Sequence, residues 1–219
     1  MAIPLSYNLR NLTQRPISTL ATAAGIGFVV AILIGALALA NGFQKALVGT
    51  GSPNNVIVLR TGADSELSSG LSRDAANILR ALPEIATDAA GRPLASAELV
   101  VVVSKSRRGF SGSSNVNVRG IDASGFALRS KVKVTNGRLF TPGTDEIVVG
   151  RRIADRFEGC QPGDKLRFGQ RDFTVVGHFE ADGSAFESEI WGDLNVLGPA
   201  TGRDGFQSLT FTIRDTALF

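Results

Sequence analysis

The chain has 219 residues, of which 43% are hydrophobic and 20% charged, so its length allows one large domain or two small ones with a buried core. Its single cysteine, Cys160, excludes an intramolecular disulfide, and its single histidine, His178, excludes a metal site built on several histidines. Basic residues but no acidic ones precede Asp64, which is typical of the flank of a membrane segment and not of a nucleic-acid-binding face. We therefore expect no nucleic-acid partner.

Residues 1–16 form a lead-in to the most apolar part of the chain. Leu5, Leu9 and Leu12 lie at i, i+4 and i+7 among polar residues, which places them on one face of a helix. Such a face is suited to lying along the cytoplasmic surface of a membrane. A leader without this role fits the same residues, so both interpretations stay open.

Residues 17–42 are predicted to be a transmembrane helix. The stretch from Ile17 to Ala40 contains no charged residue, and as a helix it would be about 36 Å long, enough to cross a ~30 Å hydrocarbon core with some tilt. Arg10 and Arg15 precede it and only Lys45 follows closely, so the positive-inside rule favours a cytoplasmic N-terminus and an exported remainder.

A cleaved signal peptide is the alternative to a retained anchor. Ala38-Leu39-Ala40 satisfies the small-x-small pattern of a cleavage site. The apolar stretch is, however, well beyond the ~7–15 residues of a signal-peptide core. This length favours the anchor.

Small side chains recur at every fourth position within the predicted span. They would form one ridge along the helix, and close helix packing in lipid depends on such ridges. Glycine and alanine are also simply common in membrane helices. We predict a helix-packing face made of Thr19, Ala23, Gly27, Ala31 and Gly35.

Residues 43–219 are predicted to be an exported α+β domain with a mixed or antiparallel sheet and a few short helices. Ser72 is a plausible N-cap for a helix that Pro83 would stop, and 151–159 is a second short helix that ends in glycine. The Gly/Ser-rich segment 107–115 is predicted to be a loop. The predicted strands are 55–60, 98–104, 114–120, 130–137, 146–150 and two strands joined by a turn at Gly169.

Acidic residues surround the only tryptophan in the segment "GSAFESEIWGDLNVL". Glu187 and Glu189 are two residues apart, so on a strand they would share one face. Paired carboxylates can perform acid–base chemistry, but a polar strand face is also the ordinary mark of a solvated sheet. We predict that Glu187, Glu189, Trp191 and Asp193 form a contact surface facing the periplasm.

No constellation in the sequence indicates an enzyme. His178 has no serine or cysteine near it in a nucleophile turn, and Cys160 has no identifiable base. The sequence also contains no G-x-x-x-x-G-K-[ST] motif, so a P-loop ATP site is not expected. We expect no catalytic residue, no metal ligand and no cofactor.

Six stretches in the same order resemble a family of bacterial ABC-transporter permeases, the MacB-like and FtsX-like permeases, which include lipoprotein-releasing and DevC-type subunits. Each stretch is a weak signal by itself, but their order along nearly the whole chain is fairly specific. They are "YNLRNLTQRP", "NVIVLRTGADSELSSGLSRD", "NVRGIDASGFALR", "GRLFTPGTDEIVVGRRIADRF", "GDKLRFGQRDFTVVGHFEADGSAFESEIWGD" and "FQSLTFTIRD".

The resemblance implies a bacterial inner-membrane protein that dimerises and works with a separate or fused ATPase. Family members usually have four membrane helices and couple ATP hydrolysis to movements of a periplasmic domain, with peptides, antibiotics, lipoproteins and other amphiphiles as substrates. Membrane lipid and a periplasmic adaptor are further implied partners. Residues 43–219 would be a MacB-like periplasmic core domain, incomplete at its C-terminus, and the chain an N-terminal fragment.

Two other functions remain open on the sequence alone. A single-pass periplasmic scaffold or adaptor would act without transport, and a membrane-anchored hydrolase would use the acids near Trp191.

Overall fold

The computed structural model describes residues 14–48, 52 and 54–215 of the chain. It divides into two compact units, 1–47 and 48–219. The predicted amphipathic face of Leu5, Leu9 and Leu12 lies outside the described residues.

The first unit contains one long helix, α1, from Pro16 to Val48. Proline suits the first turn of a helix because its missing N–H would have no partner there. From Pro16 to Gln44 the helix is long and apolar enough to cross a membrane, with a mean hydropathy of 2.5 in its most apolar part and none of that part buried.

Within residues 54–215, the second unit is built on one sheet of nine strands. Their order is β1-β9-β2-β3-β8-β5-β7-β4, and β6 pairs with β7. The β3–β8 and β5–β7 pairs are parallel and the others antiparallel, so of the two predicted alternatives, a mixed or an antiparallel sheet, the sheet is mixed. The strands are β1 (Asn55–Val58), β2 (Ala95–Ser106), β3 (Ser113–Ile121), β4 (Lys133–Gly137), β5 (Glu146–Gly150), β6 (Lys165–Phe168), β7 (Arg171–Glu180), β8 (Glu189–Asp193) and β9 (Ser208–Thr212).

In the described part of this unit four short helices accompany the sheet, together with 3₁₀ turns at Glu66–Ser68 and Ala185–Ser188. The predicted N-cap is confirmed, because the Ser72 side chain accepts a hydrogen bond from the Ala75 N–H. The helices are α2 (Arg73–Arg80), α3 (Ser124–Ala127), α4 (Arg151–Arg156) and α5 (Leu194–Ala200).

Both faces of the central strands are buried. Along β5, Ile147 and Val149 belong to the larger apolar cluster, whereas Val148 belongs to a smaller cluster on the opposite face. Successive side chains of a strand point to opposite faces, so this split shows that the sheet is covered on each side at β5. The smaller cluster is aromatic and includes Phe179 and Trp191.

The chain enters and leaves the sheet at one place. Asn55 at the start of β1 pairs with Thr212 at the end of β9, and the Ile213 N–H donates to the Asn54 carbonyl at 3.0 Å. β2 begins at the same end, because Ala95 pairs with Phe211. β2 then runs away from that end for 12 residues and turns back into β3.

Candidate functional site

The four residues predicted to form a contact surface are buried. Glu187, Glu189, Trp191 and Asp193 are 7%, 6%, 0% and 4% exposed, so the prediction of a solvated surface is wrong. The predicted shared strand face is also wrong, because Glu187 lies in the 3₁₀ turn before β8. The physical reason is the position of β8, which lies between β3 and β5 and not at an edge of the sheet.

The Arg119 guanidinium on β3 is the centre of a group of buried charges. Its Nε and Nη2 donate to the two Glu189 oxygens at 2.7 and 3.0 Å. Its Nη1 donates to Glu98 Oε2 at 2.7 Å, and Nη1 and Nη2 donate to the Glu66 oxygens at 2.9 Å each. A guanidinium has five N–H groups in a planar fork, and this arrangement matches that geometry with three carboxylates.

A second guanidinium extends the group. Arg129 Nη2 donates to both oxygens of Glu98 at 2.7 and 2.8 Å, and its Nη1 donates to the Gly125 carbonyl at 3.0 Å. The guanidinium carbon of Arg129 also lies 4.8 Å from the centre of the Phe186 ring, within the range of a cation–π contact. We call Arg119, Arg129, Glu66, Glu98 and Glu189 the charge network.

The pKa shifts of Arg119 and Glu66 favour the ionised forms of these two side chains. Burial lowers the pKa of Arg119, but the charges of Glu189 and Glu98 outweigh burial and hold its pKa well above the ordinary value. Burial raises the pKa of Glu66, but hydrogen bonds and charge from Arg119 outweigh it and hold the pKa below the ordinary value. The contact distances make the network a set of ion pairs, so removal of one member would leave an unpaired buried charge.

Trp191 contacts both the charge network and a group of aromatic rings. Its Nε1–H donates to Glu189 Oε2 at 2.8 Å, so the buried indole has a hydrogen-bond acceptor. Its ring centre lies 4.6 Å from that of Phe179, 5.4 Å from Phe186 and 5.6 Å from Phe126. The acids and the tryptophan that suggested a site in the sequence are thus held in the interior by each other and by the arginines.

The other two acids predicted for the contact surface, Glu187 and Asp193, bind backbone N–H groups in turns. Glu187 Oε1 accepts from the backbone N–H groups of Ala181 and Gly183 at 2.9 and 2.8 Å, around Asp182 in the left-handed region with a φ of 54°. Asp193 caps α5 by accepting from the Asn195 N–H at 2.7 Å, and it also accepts from the Gly143 N–H. Both carboxylates therefore accept hydrogen bonds from backbone N–H groups of these turns, and one of the donors, Ala181, is itself buried.

Cys160 and His178, the single cysteine and the single histidine of the chain, lie close together. The His178 imidazole shares a hydrogen bond of 2.8 Å with the Cys160 carbonyl through Nε2. The Cys160 side chain is fully buried, and burial raises the pKa of its thiol. A buried thiol with a raised pKa is poorly nucleophilic.

The small residues predicted to form a helix-packing face all lie on α1. At Gly27 and Gly35 no atom of the described residues lies within 4 Å of the position a Cβ would take. No contact in the structure tests the packing face, which stays a prediction for Thr19, Ala23, Gly27, Ala31 and Gly35.

The sequence interpretation missed Arg119, Arg129, Glu66 and Glu98. A signal was present for two of them, because Glu98 directly precedes a run of five apolar residues and Arg119 follows the alternating segment before Gly120. Charged residues within apolar strands are rarely buried unless they are paired. Such positions indicate partners elsewhere in the chain.

The chain thus combines an apolar helix that is long enough to cross a membrane with a mixed-sheet α+β domain that contains a buried charge network. Residues 19–218 match the family model described as the MacB-like periplasmic core domain, and the chain belongs to this family. The resemblance inferred from the sequence is therefore confirmed. A search of curated protein sequences finds no significant match to the chain.

Two solved structures share the fold. The extracellular domain of the noncanonic ABC-type transporter YknZ from Gram-positive bacteria is 16% identical, with a TM-score of 0.55 over 75% of this chain and 86% of that one. The periplasmic region of MacB from Actinobacillus actinomycetemcomitans is 21% identical, with a TM-score of 0.55 over 78% of each chain. At these identities the likeness shows the fold alone.

Proposed function

We propose that this chain is the N-terminal part of a permease subunit of an ABC transporter in a bacterial inner membrane. Residues 17–42 cross the membrane with the N-terminus in the cytoplasm, and residues 43–219 are the periplasmic core domain. The observation that carries the proposal is the family match over residues 19–218, which spans the apolar helix and the domain together.

The proposed transport mechanism needs an ATPase partner. ATP hydrolysis by that subunit moves the periplasmic domain of a permease dimer, which exports an amphiphilic substrate or extracts it from the membrane. The charge network supports this role, since it ties β2, β3, β8 and the first 3₁₀ turn by buried ion pairs and so favours movement as one body. The chain itself is not proposed to be an enzyme.

A reporter experiment tests the topology. Alkaline phosphatase, which is active only outside the cytoplasm, is fused after residue 215, and the fusion is expected to be active. The mass of the isolated protein is measured at the same time, because cleavage after Ala40 would indicate a signal peptide in place of an anchor. An inactive fusion would refute the proposed orientation.

A second experiment tests the partnership through the predicted packing face. Replacing Gly27 and Gly35 by leucine adds bulk to the ridge, and we expect less co-purification with a second tagged copy of the subunit, because small residues at a helix interface allow the backbones to approach closely. Gly25→Leu is the matched control, because position 25 lies on another face of α1 and is equally open.

Comparison of the two variants tests the packing face, and co-purification with an ATPase distinguishes a permease subunit from a scaffold. Equal co-purification of both variants would refute the packing face. A subunit that lies in the inner membrane but never co-purifies with an ATPase when the whole gene is expressed would favour the single-pass scaffold instead.

A further inference from the structure

A cleft of about 170 Å³ lies between α2, the start of α5 and the loop that follows β3. Arg73, Asn77 and Arg80 line its α2 side, and they are spaced at i, i+4 and i+7. Residues at this spacing lie on one face of a helix, so two cations and an amide share the same wall of the cleft. We call this space the α2 cleft.

Another wall of the α2 cleft is apolar. Phe206 and Leu194 line it and are 8% and 5% exposed. The Arg73 guanidinium carbon lies 5.6 Å from the centre of the Phe206 ring, and Arg73 Nε donates to the Asp204 carbonyl at 2.9 Å. These contacts hold the guanidinium beside the apolar wall. Its two Nη groups form no hydrogen bond or ion pair with any residue that the structure describes.

The second guanidinium of the α2 cleft is only partly satisfied. Arg80 Nη2 forms an ion pair with Asp122, whose Oδ2 also accepts from the Ala97 N–H at 3.3 Å and whose Oδ1 accepts from the Ser124 N–H at 2.9 Å. Arg80 Nε is buried without a hydrogen-bond partner, and Nη1 also has none within the described part of the chain. Because a guanidinium has five N–H donors, Arg80 can donate to a further acceptor in the cleft.

The charges that line the α2 cleft leave one cation in excess. Arg73 and Arg80 are two cations, and Asp122 is the one acid among the described residues that line the cleft. Asp74 and Asp204 are exposed and do not line it. A monoanion would therefore balance the cleft, whereas a phosphate dianion would leave an excess of negative charge beside Asp122.

Two amide side chains complete the polar lining of the α2 cleft. Asn77 lies on α2 and Asn195 in the first turn of α5, and both are exposed. Neither amide group forms a hydrogen bond within residues 14–48, 52 and 54–215. Amide N–H₂ groups and guanidinium forks both donate to carboxylate oxygens, and the planar fork matches the two oxygens of a carboxylate.

The size of the α2 cleft restricts what it can hold. Its volume of about 170 Å³ is below the ~300–1,000 Å³ of sites that enclose drug-sized ligands. An occupant is therefore small, with one charged group for the arginines and a short hydrocarbon part for the apolar wall.

We infer that the α2 cleft binds a small organic monocarboxylate. Its two oxygens accept from the guanidinium groups of Arg73 and Arg80, and the Asn77 and Asn195 amides lie at the rim. Its hydrocarbon chain of a few carbons packs against Phe206. Occupancy of the cleft joins α2 to the start of α5, and this binding does not depend on the proposed transport function.

Binding of three defined small molecules tests the inference. The full chain in neutral lipid nanodiscs is titrated with butanoate, with its uncharged analogue butanamide and with inorganic phosphate, and empty nanodiscs give the background. Saturation-transfer NMR detects the two organic probes, and the rise in melting temperature is measured for all three. We expect butanoate to bind with a Kd on the order of 1 mM, and butanamide and phosphate to bind about tenfold more weakly.

Substitutions on the exposed side of α2 separate the charge of the cleft from its shape. Arg73→Gln removes the cation that has no acidic partner among the described residues, and we expect butanoate to bind about tenfold more weakly. Asn77→Trp fills the cleft and is expected to weaken butanoate binding to a similar extent. Arg156→Gln is the matched control, because it makes the same change in charge at an exposed arginine outside the cleft. Melting temperatures without ligand show that each variant remains folded.

Four outcomes would overturn the inference. These are no butanoate binding above that of empty nanodiscs, equal binding of butanoate and butanamide, tighter binding of phosphate than of butanoate, or an equal loss of binding in Arg73→Gln and Arg156→Gln. The phosphatase fusion is independent of these titrations. An inactive fusion therefore refutes the proposed function, whereas failed titrations with an active fusion refute the role of the α2 cleft alone.

Discussion

Arg119 and Glu189 form a two-pronged ion pair across the parallel strands β3 and β8, with Nε–Oε2 and Nη2–Oε1 distances of 2.7 and 3.0 Å. In the strand register Arg119 lies opposite Trp191, whose Nε1–H donates to the same Glu189 oxygen at 2.8 Å. One carboxylate thus holds a guanidinium and an indole in place. Because all three side chains are buried, loss of Glu189 would leave both the guanidinium and the indole without this acceptor.

Replacing Arg119 by methionine is expected to destabilise the domain strongly. The variant would leave Glu98 and Glu189 buried without their shared cation, for which a loss of about 3–5 kcal/mol in the free energy of unfolding is typical. The measurement is urea denaturation of the full chain in detergent, followed by the fluorescence of Trp191, the chain's one tryptophan.

Arg138→Met is the matched control for that substitution. Arg138 pairs with Glu146 through an exposed guanidinium, and exposed pairs contribute about 0–1 kcal/mol. If both variants lost the same small amount, the charge network would not be important for stability.

Gly150→Ala is expected to destabilise the domain by about 3 kcal/mol through overpacking. A Cβ at Gly150 would lie 2.4 Å from the Glu187 carbonyl oxygen, and backbone atoms cannot move aside as a flexible side chain can. Gly70→Ala is the control, because a Cβ there meets no atom within 4 Å and the change should stay within about 0.5 kcal/mol. Thermal denaturation followed by circular dichroism measures both, and equal melting temperatures would contradict the expectation.

The contribution of Glu66 is expected to disappear in acid. Its pKa in the folded state is below the ordinary value of 4.5, mainly because Arg119 outweighs the effect of burial. A carboxyl with a lowered folded pKa stabilises the protein above its unfolded pKa, and that stabilisation is lost as the pH falls through the folded pKa. Glu66→Gln should therefore differ most from the parent at pH 7 and approach it below about pH 4.5. Urea midpoints measured from pH 7 to pH 3 test this, and a constant difference would count against it.

The Cys160 thiol is expected to stay unreactive while the domain is folded. It is fully buried and burial raises its pKa, so a thiol reagent reaches it only when the structure opens. Ser111→Cys provides an exposed thiol in the turn between β2 and β3, and it should react about a hundredfold faster than Cys160 in the same protein. Fast reaction of the parent chain in the absence of urea would show that Cys160 is accessible.

Local structure was largely predictable from the sequence. The alternation and valine content of β2, β5 and β7 predicted these strands, and Ser72 predicted the start of α2, because these signals are carried by neighbouring residues. Which strands pair with each other was not predictable. The parallel partners β3 and β8 are joined by a long stretch of chain, and no pattern in either strand identifies the other.

The candidate site was mispredicted for the same physical reason. The two-residue spacing of Glu187 and Glu189 suits the polar face of a half-exposed strand, whereas the buried ion pair of Glu189 is made with Arg119, 70 residues earlier in the chain. A single sequence shows the acid but not the cation that neutralises it. Burial of a charged side chain is therefore a property of a pair of distant segments.

The shared entry and exit of the domain bring its two chain ends side by side. Asn54 and Ile213 are joined by a backbone hydrogen bond, so the chain enters and leaves the domain at two points about one strand spacing, ~4.8 Å, apart. A rotation of roughly 10° at that end displaces the far end of β2, about 36 Å away, by about 6 Å. A small rotation at the entry end would thus displace the far end of β2 by about the size of a side chain, without any change within the sheet.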